Sequence, residues 1–155
     1  MRTLVFALAA VALAGPASAH WQFTKWGMTP AQVISASQGA AASVPPEKSV
    51  QGDLMKAAVG QYTAGAYQFD VGYWFNASGL SLVDMWLSGE TKCLSLQRDL
   101  IAKYGEPLER SGGRSMWADR AAENRVVFIY RHEPLRSPIR SADVGRFIMR
   151  KTGVG

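Results

Sequence analysis

The sequence predicts an α+β domain: an antiparallel sheet of about five strands with two helices packed on one face, in the order α-β-β-β-α-β-β plus a basic tail. Three stretches carry that reading. Tyr67, Phe69, Val71, Tyr73 and Phe75 recur with period two, the mark of a strand with one buried face. A turn at Ala77-Ser78-Gly79 then sends the chain back towards Leu87 as a partner strand. From Glu90 to Tyr104, Cys93, Leu96, Gln97, Leu100, Ile101 and Tyr104 fall at helical spacing, an amphipathic helix to lie on that sheet.

In chain order, the first nineteen residues read as a cleaved signal peptide. Arg2 gives a positive start, Leu4 to Ala14 is an apolar run, Gly15-Pro16 breaks it, and Ala17-Ser18-Ala19 supplies the small-x-small cleavage pattern. The run is too short to span a bilayer, and no Cys follows it to carry a lipid anchor. The mature chain is expected to begin at His20 and to be periplasmic or secreted. Residues 20–131 then form a single domain, and residues 132–155 a basic C-terminal extension.

Thr29 caps a short first helix, Pro30 suits its first position, and Gln32 completes a capping box, with Gly39 as the end. Ala40 to Asp53, with Pro45-Pro46, reads as a loop. Met55 to Tyr62 is a third strand, placing Met55, Ala57 and Val59 on the buried face, with either a three-residue loop or a two-residue Ala64-Gly65 turn behind it. In the central hairpin a three-residue loop pairs Phe75 with Ser81, Tyr73 with Val83, Val71 with Met85 and Phe69 with Leu87. A four-residue loop would put Asp84 among the aromatics, so burial cost selects the first register. Ser88-Gly89 precedes the second helix, which Gly105 and Pro107 stop. Arg110 to Arg114 is a turn between that helix and two more strands, Ser115–Asp119 and Arg125–Arg131. Pro134 and Pro138 mark an extended link. Ser141 to Lys151 is assigned to a short helix, because Asp143 early and Arg150-Lys151 late suit the helix dipole, although Phe147 and Met149 also fit a strand. No internal repeat is visible.

Certain motifs resemble known proteins. Trp26-Gly27-Met28-Thr29-Pro30-Ala31-Gln32-Val33 opening a short helix, the Tyr67-x-Phe69-x-Val71 strand with Gly79-Leu80-x-x-Val83, Leu100-x-x-Lys103-Tyr104-Gly105-Glu106-Pro107, the Trp117 strand and Val126-x-Phe128-Ile129-Tyr130 are together similar to a broad set of small periplasmic proteins. Their architecture is similar to that of the β-lactamase inhibitor protein and of the small lipoproteins of outer-membrane protein assembly. The resemblance covers most of the mature chain. It implies binding through an exposed sheet face or helix edge rather than catalysis.

Composition narrows the chemistry. The chain carries 17 Lys and Arg against 12 Asp and Glu. Arg131, Arg136, Arg140, Arg146, Arg150 and Lys151 against Glu133 and Asp143 account for the whole excess left once Arg2 is set aside. For an exported protein the counter-charge is an anionic envelope component or an acidic protein, not nucleic acid, and Arg136, Arg140, Arg146, Arg150 and Lys151 are the candidate electrostatic tail. With His20 and His132 as the two histidines, no Gly-x-Ser-x-Gly, His-Glu-x-x-His or Cys-His pattern, and scattered carboxylates, no enzyme and no cofactor are expected. Cys93 is the single cysteine and reads as a buried helix residue.

The hairpin register also defines an opposite sheet face, with Trp74 against Leu82, Gly72 against Asp84, and Asp70 against Trp86, and with Ala58 and Gly60 alongside. Two tryptophans flanking small residues make a shallow concavity, and such residues dominate interface energetics. Trp74, Trp86, Asp70, Asp84 and Leu82 are therefore the candidate binding residues. The function expected is an exported soluble binding or inhibitor-like module whose partner is an envelope protein or anionic envelope component. Two alternatives stand beside it: a copper-binding or metal-binding protein using the amine and imidazole of an N-terminal His20, and an envelope-assembly accessory held by the basic tail.

Overall fold

A computed structural model describes residues 21–49, 52–87, 92–120, 122–134 and 141–151, with the backbone alone described at 131–134 and 141–144. Eight strands form one antiparallel sheet: β1 (Ala41–Lys48), β2 (Met55–Ala64), β3 (Tyr67–Asn76), β4 (Gly79–Leu87), β5 (Glu109–Ser111), β6 (Arg114–Asp119), β7 (Asn124–Pro134) and β8 (Ser141–Lys151). Their spatial order is β1-β2-β3-β4-β8-β7-β6-β5. Helix α1 (Pro30–Ala36) precedes the first four strands and α2 (Cys93–Tyr104) the last four. Each half is thus a helix followed by a four-stranded meander, and the halves join where β4 pairs with β8.

The expected five-stranded layer with two helices on one face is therefore corrected: among the described residues the protein is mostly sheet, with eight strands and two short helices. Three strands were concealed. Pro45-Pro46 lies in β1, which survives because it is the sheet edge, where a missing N–H leaves no ladder bond unmade; the register shifts across the prolines, between Ser43 and Glu47. Strand β5 is three residues long and turns into β6 through Gly112 and Gly113, both at positive φ, as a tight two-residue hairpin loop requires. The presumed helix from Ser141 to Lys151 is β8. It pairs on both sides, with β4 and β7, so ladder bonds outweigh the dipole pattern, and the basic tail of the expected fold is an interior strand. The repeat of helix plus four strands is architectural and left no trace in residue identity.

The core lies on one face. Phe69, Val71 and Tyr73 of β3, Val83 and Met85 of β4, Phe147 and Met149 of β8, and Val126 and Phe128 of β7 are all buried there. Val33 of α1 and Cys93, Leu96 and Leu100 of α2 join that cluster. Trp117 on β6 is buried with them, its indole donating 2.8 Å to the Gly105 carbonyl where α2 ends. The Thr29–Gln32 capping box is formed in both directions. Helix α2 starts at Cys93 rather than Glu90, with Lys92 at its cap; Ser88-Gly89 lies outside the described residues.

The central register holds at Tyr73–Val83, Val71–Met85 and Phe69–Leu87. Phe75 pairs with Leu80 instead of Ser81, through a bulge beside a two-residue Ala77-Ser78 loop. The cause is the Trp21–Met28 segment, which crosses here: Gly27 N–H donates to the Leu80 carbonyl and Leu80 N–H to that of Met28. At Gly79 a Cβ would come within 2.2 Å of the Gly27 carbonyl oxygen, and φ is +93°, so no other residue fits. Between β2 and β3 the loop is Gly65-Ala66, and a bulge at Ala57 turns Ala58 into the core and Val59 to the other face. Ala57, expected inward, does pack against the core, whereas Val59, expected inward, and Ala58, expected outward, are reversed.

Candidate outer-face binding site

The residues that alternate with the core positions build the opposite face, and the register sets them in three rows across five strands. The first row is Lys56, Trp74, Leu82, Arg150 and Arg125. The second is Val59, Gly72, Asp84, Ile148 and Val127. The third is Gln61, Asp70, Trp86, Arg146 and Ile129. Rows rich in charged and aromatic residues thus flank a central row that is small or aliphatic apart from Asp84.

Asp84 is the hub. Its Oδ2 accepts from Arg146 Nη2 at 2.7 Å and from Trp86 Nε1 at 3.3 Å. The carboxylate is buried, with a side chain only 4% exposed against 31% for Arg146. Gly72, directly opposite, makes that burial possible: a Cβ there would stand 2.4 Å from Asp84 Oδ1 and 3.2 Å from Trp74 Nε1. Sequence reasoning kept Asp84 off the aromatic face on grounds of desolvation. The carboxylate is desolvated on the other face instead, and Arg146 compensates it.

Arg146 also lies over the Trp86 ring, 4.8 Å from its centroid, and so fixes an indole that stays 42% exposed. Across the groove Lys56 stands 5.4 Å from the centroid of Trp74 and pairs with Glu47 at 2.6 Å. Between the two tryptophans lies a concavity of about 850 Å³, floored by Ala42, Val59 and Gly72. Trp74 Nε1 and Arg146 Nε are buried beside it and have no hydrogen-bond partner among the described residues. Orphaned buried donors are rare in folded proteins, and two of them stand at this one concavity.

The candidates fare unevenly. Trp74, Trp86, Asp70 and Asp84 come together, with Asp70 exposed at the rim and receiving Gln61 Nε2 at 3.4 Å. Leu82 occupies its outer-face position but is 5% exposed, so it braces the face rather than presenting itself. Ala58 turns into the core, and Gly60 pairs with buried Val71 on that side. Of the tail residues, Arg146 belongs to the site, and Arg150 and Lys151 are exposed on β8. Arg136, Arg140 and His20 lie outside the described residues. No group of His, Cys, Asp or Glu among the described residues could hold a metal ion. Cys93 is buried. Lys56 was missed because nothing marks a lone Lys on a strand. Arg146 was seen only as a tail charge, although its alternation with Phe147 and Met149 carried the strand signal.

No helix among the described residues is long and apolar enough to cross a membrane. No family model, curated protein or solved structure matches the chain.

Proposed function

We propose that this chain is an exported, non-catalytic binding module that works through the outer sheet face, and that its partner is an acidic protein or anionic component of the cell envelope. The observation that carries the reading is Trp86, locked by Arg146 and Asp84 yet 42% exposed beside a concavity of about 850 Å³. A rigid, half-open indole loses little entropy on contact, which is why Trp and Arg anchor interfaces. Charge supports the choice of partner. Arg125 and Arg150 face each other across β7 and β8, both exposed and without an ion pair among the described residues. Like charges directly opposite are unfavourable, and an anionic partner would relieve them. The motif resemblance to small periplasmic proteins points the same way, as does the signal-like N-terminus.

The test is retention of envelope components on the immobilised protein, compared with Trp86→Ser and Arg150→Glu variants of unchanged melting temperature. A specific component should be lost with Trp86→Ser, and with Arg150→Glu it should bind more weakly and with less salt dependence than the wild type. Identical retention on all three proteins would sink the reading.

A further inference from the structure

A second concavity lies on the opposite side of the sheet, under α2. At its start the helix closes tightly on β8, where a Cβ on Gly145 would meet Cys93 Sγ at 2.8 Å. Polar links also tie the helix to the β2–β3 hairpin. Lys92 Nζ donates to the Ala66 carbonyl at 2.6 Å, and the Tyr67 hydroxyl donates to Asp99. Between these ties and the sheet is a cavity of about 430 Å³. Its floor is Phe69, Met85, Phe147 and Met149, and its lip is Gly65, Ala66 and Lys103. Protein interiors are otherwise close-packed, and small-molecule sites are typically apolar spaces of about 300–1,000 Å³ with a few polar groups at one end.

We propose that this cleft binds a single-chain amphiphile with an acidic head, its tail on the Phe69–Met85–Phe147–Met149 floor and its head at Lys103. The two methionines offer an unbranched, deformable surface suited to a flexible chain. At the lip Asp99 already accepts from Tyr67, whereas Lys103 makes no ion pair among the described residues and stands 4.9 Å from the Tyr104 ring. Asp99 turns its carboxylate to the Tyr67 hydroxyl, which leaves the Lys103 ammonium as the charged group able to meet a ligand head, and an ammonium favours a carboxylate over an ammonium head. The site shares no residue with the outer face, so it stands apart from the reading above.

Trp21 lines the cleft, and its fluorescence reports occupancy. The purified protein, with its N-terminus determined, is titrated with straight-chain carboxylates and matched alcohols below their micellar concentrations. Affinity should rise about fourfold per added methylene until the cleft is full. The carboxylate should bind about fivefold more tightly than the alcohol of equal length. Lys103→Gln should abolish that preference while leaving the alcohol unaffected. Ala64→Phe, which narrows the mouth, should weaken both ligands, and Trp86→Ser on the outer face should change neither. No saturable binding to the wild type, a preference that survives Lys103→Gln, or loss of binding with Trp86→Ser would each overturn the proposal.

Discussion

Replacing Asp84 with Ala tests whether the outer face is held rigid by its polar hub. The substitution removes an acceptor that serves Arg146 at 2.7 Å and Trp86 at 3.3 Å, and it leaves the guanidinium facing an apolar methyl. A fully buried pair broken on one side costs about 3–5 kcal/mol, and a hydrogen bond to a charged group contributes about 1.5–3 kcal/mol. Arg146 keeps 31% of its side chain in water and can rehydrate, which places Asp84→Ala near the lower figure, about 2–3 kcal/mol. Arg146→Ala should cost at least as much, because the stranded carboxylate is only 4% exposed. Urea denaturation of both single variants and the double variant closes the cycle, with an expected coupling of about 1.5–3 kcal/mol. A coupling below about 0.5 kcal/mol, the range of exposed surface pairs, would show that no such hub orders the face.

Leu100→Ala should lose about 2–5 kcal/mol, since Leu100 is 7% exposed in the core, while Ser95→Ala on the same helix should stay within about 0.5 kcal/mol. Equal effects by denaturation would mean that α2 packs otherwise. Deleting Ile139 to Gly155 should abolish cooperative unfolding, because it removes β8 from between β4 and β7; a folded product by circular dichroism would contradict the topology. Burial pushes the Tyr73 hydroxyl up to about 12 from 10.0. The unfolded chain therefore releases this proton first, and stability should fall as pH rises from 10.0 towards 12, with no effect below that window. Tyr73→Phe should flatten that part of the urea–pH profile, and an unchanged slope would contradict the assignment.

The parts legible in the sequence are those where one local signal has no competitor. The β3–β4 pairing was readable because five aromatic and aliphatic residues alternate around a turn, and only one register keeps Asp84 off the core. Helix α2 was readable because its apolar stripe ends at Gly105, whose N–H closes on Ile101. What failed depended on distant partners. Pro45-Pro46 reads as loop until β1 is known to be an edge. Ser141–Lys151 offers helix and strand patterns of similar strength, and the choice is made by β4 and β7, far away in the chain. Within the site, the aromatic and acidic members were found by register alone. Lys56 and the role of Arg146 were not, because a cation lying over an indole is set by strand order, and strand order could not be deduced while β8 was read as a helix. The bulge at Ala57 reversed the facing of β2 for a similar reason: nothing local distinguishes Ala57 from Ala58.

The proposed role of the outer sheet face as the working surface is open to a direct test. Site-directed photocrosslinking in the envelope fraction tests it most directly, with the probe placed in turn at Gln61, exposed on the rim of the Trp74–Trp86 concavity, and at Leu108, 71% exposed beyond α2. A working outer face gives a discrete adduct from Gln61, diminished by Trp86→Ser and by high salt, and none from Leu108. An adduct from Leu108 with none from Gln61 would contradict it.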